Sequence, residues 1–194
     1  SGISRALAAV APDKVVGVHL TYLPGPPPPG VTFDLDEEDT RRLGRIKELI
    51  ANRPAYQSLQ ATRPQTIAYA LTDSPVGQLA WIAEKFTEWT DPESEISNDE
   101  ILTNISLYWL TGTAGSSARL TKETAGIAPP LCTAPIAVAV MPHDITLAVR
   151  AHVEYLFDVR QWTEFTHGGH FSALEVPEAL AADITTFFEM LRSS

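Results

Sequence analysis

The sequence predicts an α/β protein: a parallel sheet with helices on its faces and a helical insertion between two of its strands. Apolar runs at 15–20 and 135–140 are typical of strands buried on both faces. After the second run, helical and strand patterns alternate, which favours parallel pairing. The stretch 33–122 shows helical periodicity without strand alternation.

The composition excludes several classes of protein. Of 194 residues, 44% are hydrophobic, which argues against a disordered chain, and a net charge of −10 argues against nucleic-acid binding. No apolar run reaches the roughly 18–20 residues of a membrane-spanning helix, and the first residues lack a signal-peptide pattern. Cys132 is the single cysteine, so no internal disulfide can form, and a cytoplasmic location is expected.

The first elements are a helix and a strand. Ile3, Leu7 and Val10 recur at helical spacing before Pro12, and a buried strand follows over 15–20. The segment 24–30 reads PGPPPPG, through which neither a helix nor a central strand persists. We interpret it as a linker between domains; a motif for a proline-binding domain is the alternative.

Helices are predicted in the middle of the chain. The first opens with four acidic residues between 34 and 38, where the helix dipole favours anions. The second spans 75–89, capped by Asp73 or Ser74, and the third spans 97–109. Inward-facing positions are expected at Val76, Leu79, Ala80, Ile82, Ala83 and Phe86 on the second helix, and at Ile101, Leu102, Ile105, Leu107 and Tyr108 on the third.

The last part of the chain returns to strands. Strands are predicted at 135–140 and 161–165, with helices at 147–155 and 176–191. Reactive groups in open α/β sheets collect just beyond the carboxyl ends of the strands. Asp144 follows the first of these strands and His170 the second, so parallel pairing is expected to bring them together. A carboxylate that orients one imidazole nitrogen leaves the other as a base near neutral pH.

Each of these residues has another interpretation. Asp144 is a possible cap for the helix that follows it, and His143 competes with it as the functional residue. His167 and His170 have the spacing of a metal-ligand pair, but no helix holds them and no carboxylate or cysteine follows nearby, so no metal is expected. His19 lies in an apolar strand and is interpreted as a core histidine.

A nucleophile is missing from this set. In hydrolases with this order of residues, the nucleophile precedes the acid and the histidine and lies on a sharp turn from a strand to a helix. No Gly-x-Ser-x-Gly motif occurs in the chain, and Cys132 lies before a strand rather than after one. The nucleophile is therefore expected upstream of residue 1.

Three long stretches resemble the microsomal-type epoxide hydrolases. They are TRPQTIAYALTDSPVGQLAWIAEKF at 62–86, TNISLYW at 103–109 and GGHFSALEVPE at 168–178. The resemblance implies an α/β-hydrolase fold, here a partial parallel sheet with flanking helices and an inserted helical cap. By this resemblance, residues 1–24 and 126–194 belong to the α/β-hydrolase core, and residues 25–125 form the helical cap.

The resemblance also implies a mechanism. In this family an aspartate of a Gly-Asp-Trp-Gly turn opens the epoxide to an alkyl-enzyme ester, and two cap tyrosines hydrogen-bond to the epoxide oxygen. A histidine oriented by an acid then activates the water that hydrolyses the ester. By motif, His170 is the base, Asp144 its acid and Tyr56 the first tyrosine. A packed cap aromatic is the alternative for Tyr56, and no cofactor is implied.

Two departures from the family pattern stand out. The second tyrosine position falls at Thr121, whose hydroxyl is a weaker acid than a phenol. Thr121 and Trp81 are expected to contact the substrate. Ser1 to Arg5 match the residues directly after the nucleophile turn, so the chain alone is expected to be inactive and to need the missing N-terminal half or a partner chain.

The function expected from the resemblance is hydrolysis of a small apolar epoxide. A truncated, non-hydrolytic relative that binds, assembles or catalyses another reaction is the alternative. A related hydrolase with another nucleophile, such as a dehalogenase, is the third. The sequence leaves the oligomeric state open.

Overall fold

The computed structural model describes residues 2–23, 25, 27–52, 54–124, 126–127 and 131–193. Residues 24 and 26 of the predicted linker lie outside this set, as does residue 125, the predicted end of the cap. The chain forms two compact units: unit 1 holds 1–50, 90–94 and 129–194, and unit 2 holds 51–89 and 95–128. The predicted cap limits of 25–125 stay a prediction.

Unit 1 contains a parallel sheet. In the described part of the chain it has three strands, β1 (Val18–Leu20), β2 (Ile136–Val140) and β3 (Val159–Glu164), in that spatial order. All five residues of β2 are buried, because it is central and both of its faces are covered. Val140 pairs with Glu164, so β2 and β3 end side by side.

The first strand is shorter than predicted. Its pairing begins where Val18 N donates to Pro135 O at 2.9 Å, and Val16, predicted inside the strand, is 74% exposed. Gly17 lies so close to the last helix that a Cβ atom there would be 2.5 Å from Leu191 Cδ1. The predicted strand 15–20 is therefore wrong at its first three positions, since its partner strand begins only at Ile136.

Unit 1 also contains helices, which contribute Ala8, Val153 and Leu180 to the hydrophobic core around the sheet. These helices are α1 (Gly2–Val10), α2 (Glu37–Ala51), whose last residue belongs to unit 2, and the three described below as α8, α9 and α10. The helix predicted at 147–155 begins later than expected, because Leu147, Ala148 and Val149 are buried core residues in front of it.

Unit 2 is helical, as predicted. It contains α3 (Ala55–Thr62), α4 (Pro64–Asp73), α5 (Pro75–Trp89), α6 (Asn98–Thr111) and α7 (Ala114–Thr124). Ala68 of α4 and Ala114 and Ala118 of α7 are buried, and small side chains allow these two helices to approach closely. Helices α8 (Arg150–Leu156), α9 (Ser172–Glu175) and α10 (Pro177–Arg192) follow in unit 1.

The caps of α5 and α6 lie where the sequence predicts them. Ser74 Oγ accepts a hydrogen bond from Gly77 N at 3.0 Å, and Ser97 forms a reciprocal capping box with Glu100. The predicted inward faces are partly wrong. Val76 is 70% and Leu107 60% exposed, whereas Gln78, a polar residue, is buried.

The inward faces of α5 and α6 were partly mispredicted because both helices are apolar over more than one face, so periodicity alone does not select the face that packs.

Among the described residues, none of the helices combines the length and the apolar composition that crossing a bilayer requires.

Candidate active site

Asp144 lies in a turn just beyond β2. Its amide donates to Met141 O at 3.2 Å, and the residue is only 3% exposed. Oδ1 accepts from Ile145 N at 2.7 Å, while Arg45 Nη2 donates to the Asp144 carbonyl at 3.4 Å. The N-cap of the next helix is Val149, so Asp144 does not cap that helix.

His170 lies beyond β3, next to Asp144. The distance between His170 Nδ1 and Asp144 Oδ1 is 2.7 Å, although the two residues are 26 positions apart. The turn that brings them together contains Gly168, whose φ of +101° is one that side chains rarely adopt. The predicted proximity of the two residues is therefore observed.

This geometry prepares the histidine to act as a base. When Nδ1–H donates to the buried Asp144 carboxylate, the basic lone pair lies on Nε2. The negative charge of Asp144 also stabilises the imidazolium that forms when Nε2 takes a proton. The Asp144–His170 pair can therefore activate water.

Tyr22 packs against the imidazole and was not predicted. Its ring meets that of His170 edge to face, with centroids 5.3 Å apart, and its hydroxyl accepts from Thr146 Oγ1 at 3.4 Å. Tyr22 lies two residues beyond the end of β1. The rule that identified Asp144 and His170, polar groups past the carboxyl ends of strands, also applies to Tyr22.

Two further carboxylates contact the backbone around His170. Asp91, 1% exposed, accepts from Gly168 N at 2.7 Å, and Glu175 accepts from Gly169 N at 2.9 Å. Burial alone would raise the pKa of the Asp91 carboxyl, but the amides of Glu93 and Gly168, with nearby His143 and His167, lower it below its usual value. Neither carboxylate was predicted, because no local pattern marks them.

The other histidines have partners of their own. His143 Nε2 lies 3.6 Å from Asp91 Oδ1, and His167 Nδ1 lies 3.4 Å from Glu93 Oε2. His19, predicted in the core, is largely buried with Nε2 2.7 Å from Asp183 Oδ2. Within the described residues, no three histidine, cysteine or acidic side chains are grouped as a metal site.

Tyr56 belongs to an aromatic and cationic cluster in unit 2. Lys85 Nζ lies 4.6 Å from the centroid of its ring and 5.5 Å from that of Trp89, and Gln57 Nε2 donates to the Tyr56 hydroxyl at 3.0 Å. Burial alone would lower the pKa of the Lys85 ammonium, but Glu84 and Glu88 raise it, so the group stays cationic. The ring of Tyr56 is thus held on its face by a cation.

The two predicted substrate contacts also lie in unit 2. Thr121 Oγ1, on α7, donates to Gln60 Oε1 at 3.1 Å, and Trp81 is half-buried on α5, one turn before Lys85. The structure thus brings His170 and Asp144 together in unit 1 and surrounds Tyr56 with Lys85 and Trp89 in unit 2. The roles of Tyr56, Thr121 and Trp81 stay predictions.

Curated relatives match the chain along nearly its whole length, although no protein-family model matches it. It is 42% identical over 200 residues to the protein of Stigmatella aurantiaca named "Putative epoxide hydrolase", across 100% of this chain and 46% of the relative. It is 32% identical over 234 residues to Epoxide hydrolase 1 of Sus scrofa, across 97% of this chain and 49% of the relative. The chain spans about half the length of these relatives.

Solved structures match in the same way. The epoxide hydrolase of Aspergillus niger superposes with a TM-score of 0.85 at 29% identity, over 96% of this chain and 49% of that one. The juvenile hormone epoxide hydrolase of Bombyx mori gives a TM-score of 0.85 at 26% identity, over 97% and 52%. The predicted α/β-hydrolase fold is confirmed, and the chain is a homologue of the C-terminal part of epoxide hydrolases with this fold.

Proposed function

We propose that the complete protein carrying this chain hydrolyses small apolar epoxides to vicinal diols through an alkyl-enzyme ester. The contact between His170 Nδ1 and the buried Asp144 carboxylate, at 2.7 Å, carries the proposal, because ester hydrolysis requires an oriented base. The homologues named epoxide hydrolase support the class of reaction.

The first step of the proposed reaction opens the epoxide. An aspartate outside residues 1–194 attacks an epoxide carbon, the carbon–oxygen bond breaks, and the Tyr56 phenol donates a proton to the oxygen. The electron pair of the broken bond goes to that oxygen, which leaves an ester carrying a hydroxyl group. Lys85, over the Tyr56 ring, and Gln57, at its hydroxyl, fix the direction of the phenol.

The second step consumes water. His170 Nε2 takes a proton from water, and the resulting hydroxide adds to the ester carbonyl. As the ester bond breaks, the imidazolium returns its proton to the leaving diol oxygen. The remaining carboxyl proton goes to the Tyr56 phenolate, which regenerates both the aspartate carboxylate and the phenol. Asp144 stabilises the imidazolium between these proton transfers. The net reaction is epoxide plus water to diol, which needs no cofactor.

The remaining expectations are part of the same proposal. A missing N-terminal half or a partner chain supplies the nucleophile and pairs with β1, which forms an edge of the described sheet. Thr121 and Trp81 contact the substrate. A cytoplasmic location is supported by Cys132 being the single cysteine.

Trapping the ester tests the proposed function. The complete protein with His170→Ala is mixed with styrene oxide, and the intact mass is followed with time. We expect an increase by the mass of one epoxide that persists in the variant and is only transient in the wild type. Unchanged diol production by His170→Ala would contradict the assignment of His170, and no adduct in either protein would favour a non-hydrolytic relative.

A further inference from the structure

The backbone on both sides of His170 is bonded to one carboxylate. Glu175 Oε2 accepts from Gly169 N at 2.9 Å, and Glu175 Oε1 accepts from Phe171 N at 2.8 Å. These two amides belong to the residues directly before and after His170. The Glu175 side chain therefore spans the position from which the imidazole projects.

The short helix α9 places Glu175 against the loop that precedes this helix in the chain. Leu174 N and Glu175 N both donate to Phe171 O, at 2.7 and 3.1 Å, so the chain turns back on itself within one helical turn. Hydrogen bonds to an ionised carboxylate are about twice as strong as those between neutral groups. The two amides are thus held more firmly than an ordinary loop would hold them.

A second carboxylate supports the first. Asp91 Oδ2 accepts from Gly168 N at 2.7 Å, and Asp91 N donates to Glu175 Oε2 at 2.7 Å. Asp91 lies in the segment 90–94, which packs in unit 1 although the helices before and after it in the chain belong to unit 2. The two carboxylates and the amides of 168, 169 and 171 form one hydrogen-bonded network.

We propose that Glu175, supported by Asp91, is a positioning residue that holds His170 where its Nε2 can activate water. This inference rests on the proposed function. The contact with Asp144 holds Nδ1 of the imidazole, and Tyr22 packs against the ring. The amides bound by Glu175 fix the backbone from which the imidazole projects, so a shift of that backbone would move Nε2.

The position of a base matters most in the step that uses it. A misplacement of about 1 Å can slow a reaction on the order of 100-fold. Formation of the ester uses the nucleophile and Tyr56, whereas its hydrolysis uses His170. Loss of Glu175 should therefore slow hydrolysis and leave ester formation nearly unchanged, which a general loss of folded protein would not do.

Single-turnover kinetics in the complete protein separate the two steps. Glu175→Ala and Glu175→Gln are mixed with styrene oxide and quenched at intervals, and the alkyl-enzyme is measured by mass. We expect Glu175→Ala to hydrolyse the ester about 10- to 100-fold more slowly than wild type, with ester formation within about 2-fold. Glu175→Gln keeps the side-chain size and one acceptor oxygen, so it should fall between wild type and Glu175→Ala.

Glu178→Gln is the matched control, because Glu178 is an exposed carboxylate in the first turn of α10, three residues further on. It should hydrolyse the ester at the wild-type rate. Equal slowing of both steps in Glu175→Gln, or no slowing of hydrolysis, would overturn the positioning role. If Glu175→Ala does not fold, Glu175→Gln decides alone.

The same experiment distinguishes this inference from the proposed function on which it rests. Absence of an alkyl-enzyme in the wild-type protein would refute the proposed function, and the inference with it. Normal formation and hydrolysis of the ester in wild type, with hydrolysis unchanged in the Glu175 variants, would refute the inference alone.

Discussion

The ammonium group of Lys85 lies 4.6 Å from the centre of the Tyr56 ring, on the face of the phenol. Lys85 itself is ion-paired with Glu84 and Glu88 and has only 14% of its side chain exposed. A cation in this position orients the ring through its attraction to the π face. The phenol proposed to protonate the epoxide oxygen, on α3, is therefore held by a residue of α5.

Removing this cation should slow ester formation. Lys85→Met keeps the length of the side chain but not its charge, and a cation–π contact is worth about 0.5–2 kcal/mol. We expect the rate of alkyl-enzyme formation in the complete protein to fall about 2- to 30-fold, with its hydrolysis unchanged. Lys122→Met, at an exposed lysine of α7, is the control. A slowing confined to hydrolysis would argue against this role of Lys85.

Asp91 should make stability sensitive to acid. Its pKa is lowered in the folded protein from an ordinary value of 3.8, so its contribution is present above that value and is lost as the pH falls through the folded pKa. Asp91→Asn removes one of the two oxygens that accept from the amides of Glu93 and Gly168, at a cost of about 1–3 kcal/mol near pH 7.

The measurement is the urea midpoint of the complete protein between pH 7 and pH 3. The difference between wild type and Asp91→Asn should shrink below about pH 4, as Asp91 takes up a proton. His143 and His167 lie near this carboxylate and are present in both proteins, so the difference between the two proteins reports on Asp91. A constant difference across the whole range would show that the charge of Asp91 is not what stabilises the fold.

Arg42 should resist replacement by lysine. It is 4% exposed and donates to Glu38, to Glu164 at 2.9 Å and to the carbonyl of Ala148 at 3.2 Å. The hydrogen bond from Arg42 lowers the pKa of the Glu164 carboxyl. Lysine lacks the planar guanidinium that serves three acceptors at once. We expect Arg42→Lys to lower the free energy of unfolding by about 1–3 kcal/mol.

The neighbouring arginine offers a control for that substitution. Arg41 has 70% of its side chain exposed and pairs with Glu38 at the surface, so Arg41→Lys should change the free energy by less than about 0.5 kcal/mol. Chemical denaturation of the complete protein measures both variants. Equal effects at the two positions would mean that burial of Arg42 contributes nothing.

Two glycines should respond to alanine with opposite signs. Gly168 has a φ of +101°, and a Cβ atom there would lie 3.1 Å from Val176 Cγ2, so Gly168→Ala should destabilise by about 1–3 kcal/mol. Gly44, inside α2, has no atom within 4 Å of such a Cβ, and Gly44→Ala should stabilise by about 0.5–1 kcal/mol. Thermal unfolding distinguishes the two signs, and stabilisation by Gly168→Ala would contradict the strain argument.

Several parts of the site could be predicted because their signals are local or topological. Ser74 and Ser97 mark helix starts by their own hydrogen bonds, and β2 is apolar enough to be recognised as a buried strand. Asp144 and His170 follow neighbouring parallel strands, so topology alone predicts that they meet. Tyr22 obeys the same rule but was not predicted, because the rule was applied only to the residues after the strands at 135–140 and 161–165.

Other parts required contacts that no local pattern encodes. The role of Asp91 depends on Gly168, 77 positions away, and the buried face of α5 includes Gln78 rather than Val76. Helix α5 is apolar over much of its circumference, so the neighbours with which it packs decide which residues are covered.

Periodicity, caps and long matched stretches are properties of the chain alone. They were enough to predict the class of fold, the order of the main elements, the pairing of Asp144 with His170 and the resemblance to epoxide hydrolases. The carboxylates that hold the loop of His170 and the cation over Tyr56 are seen only in the packed molecule. The contacts of Asp91 with Gly168 and of Lys85 with Tyr56 join residues far apart in sequence. Their free energies depend on burial and on distances of about 3–5 Å that arise only when the chain packs.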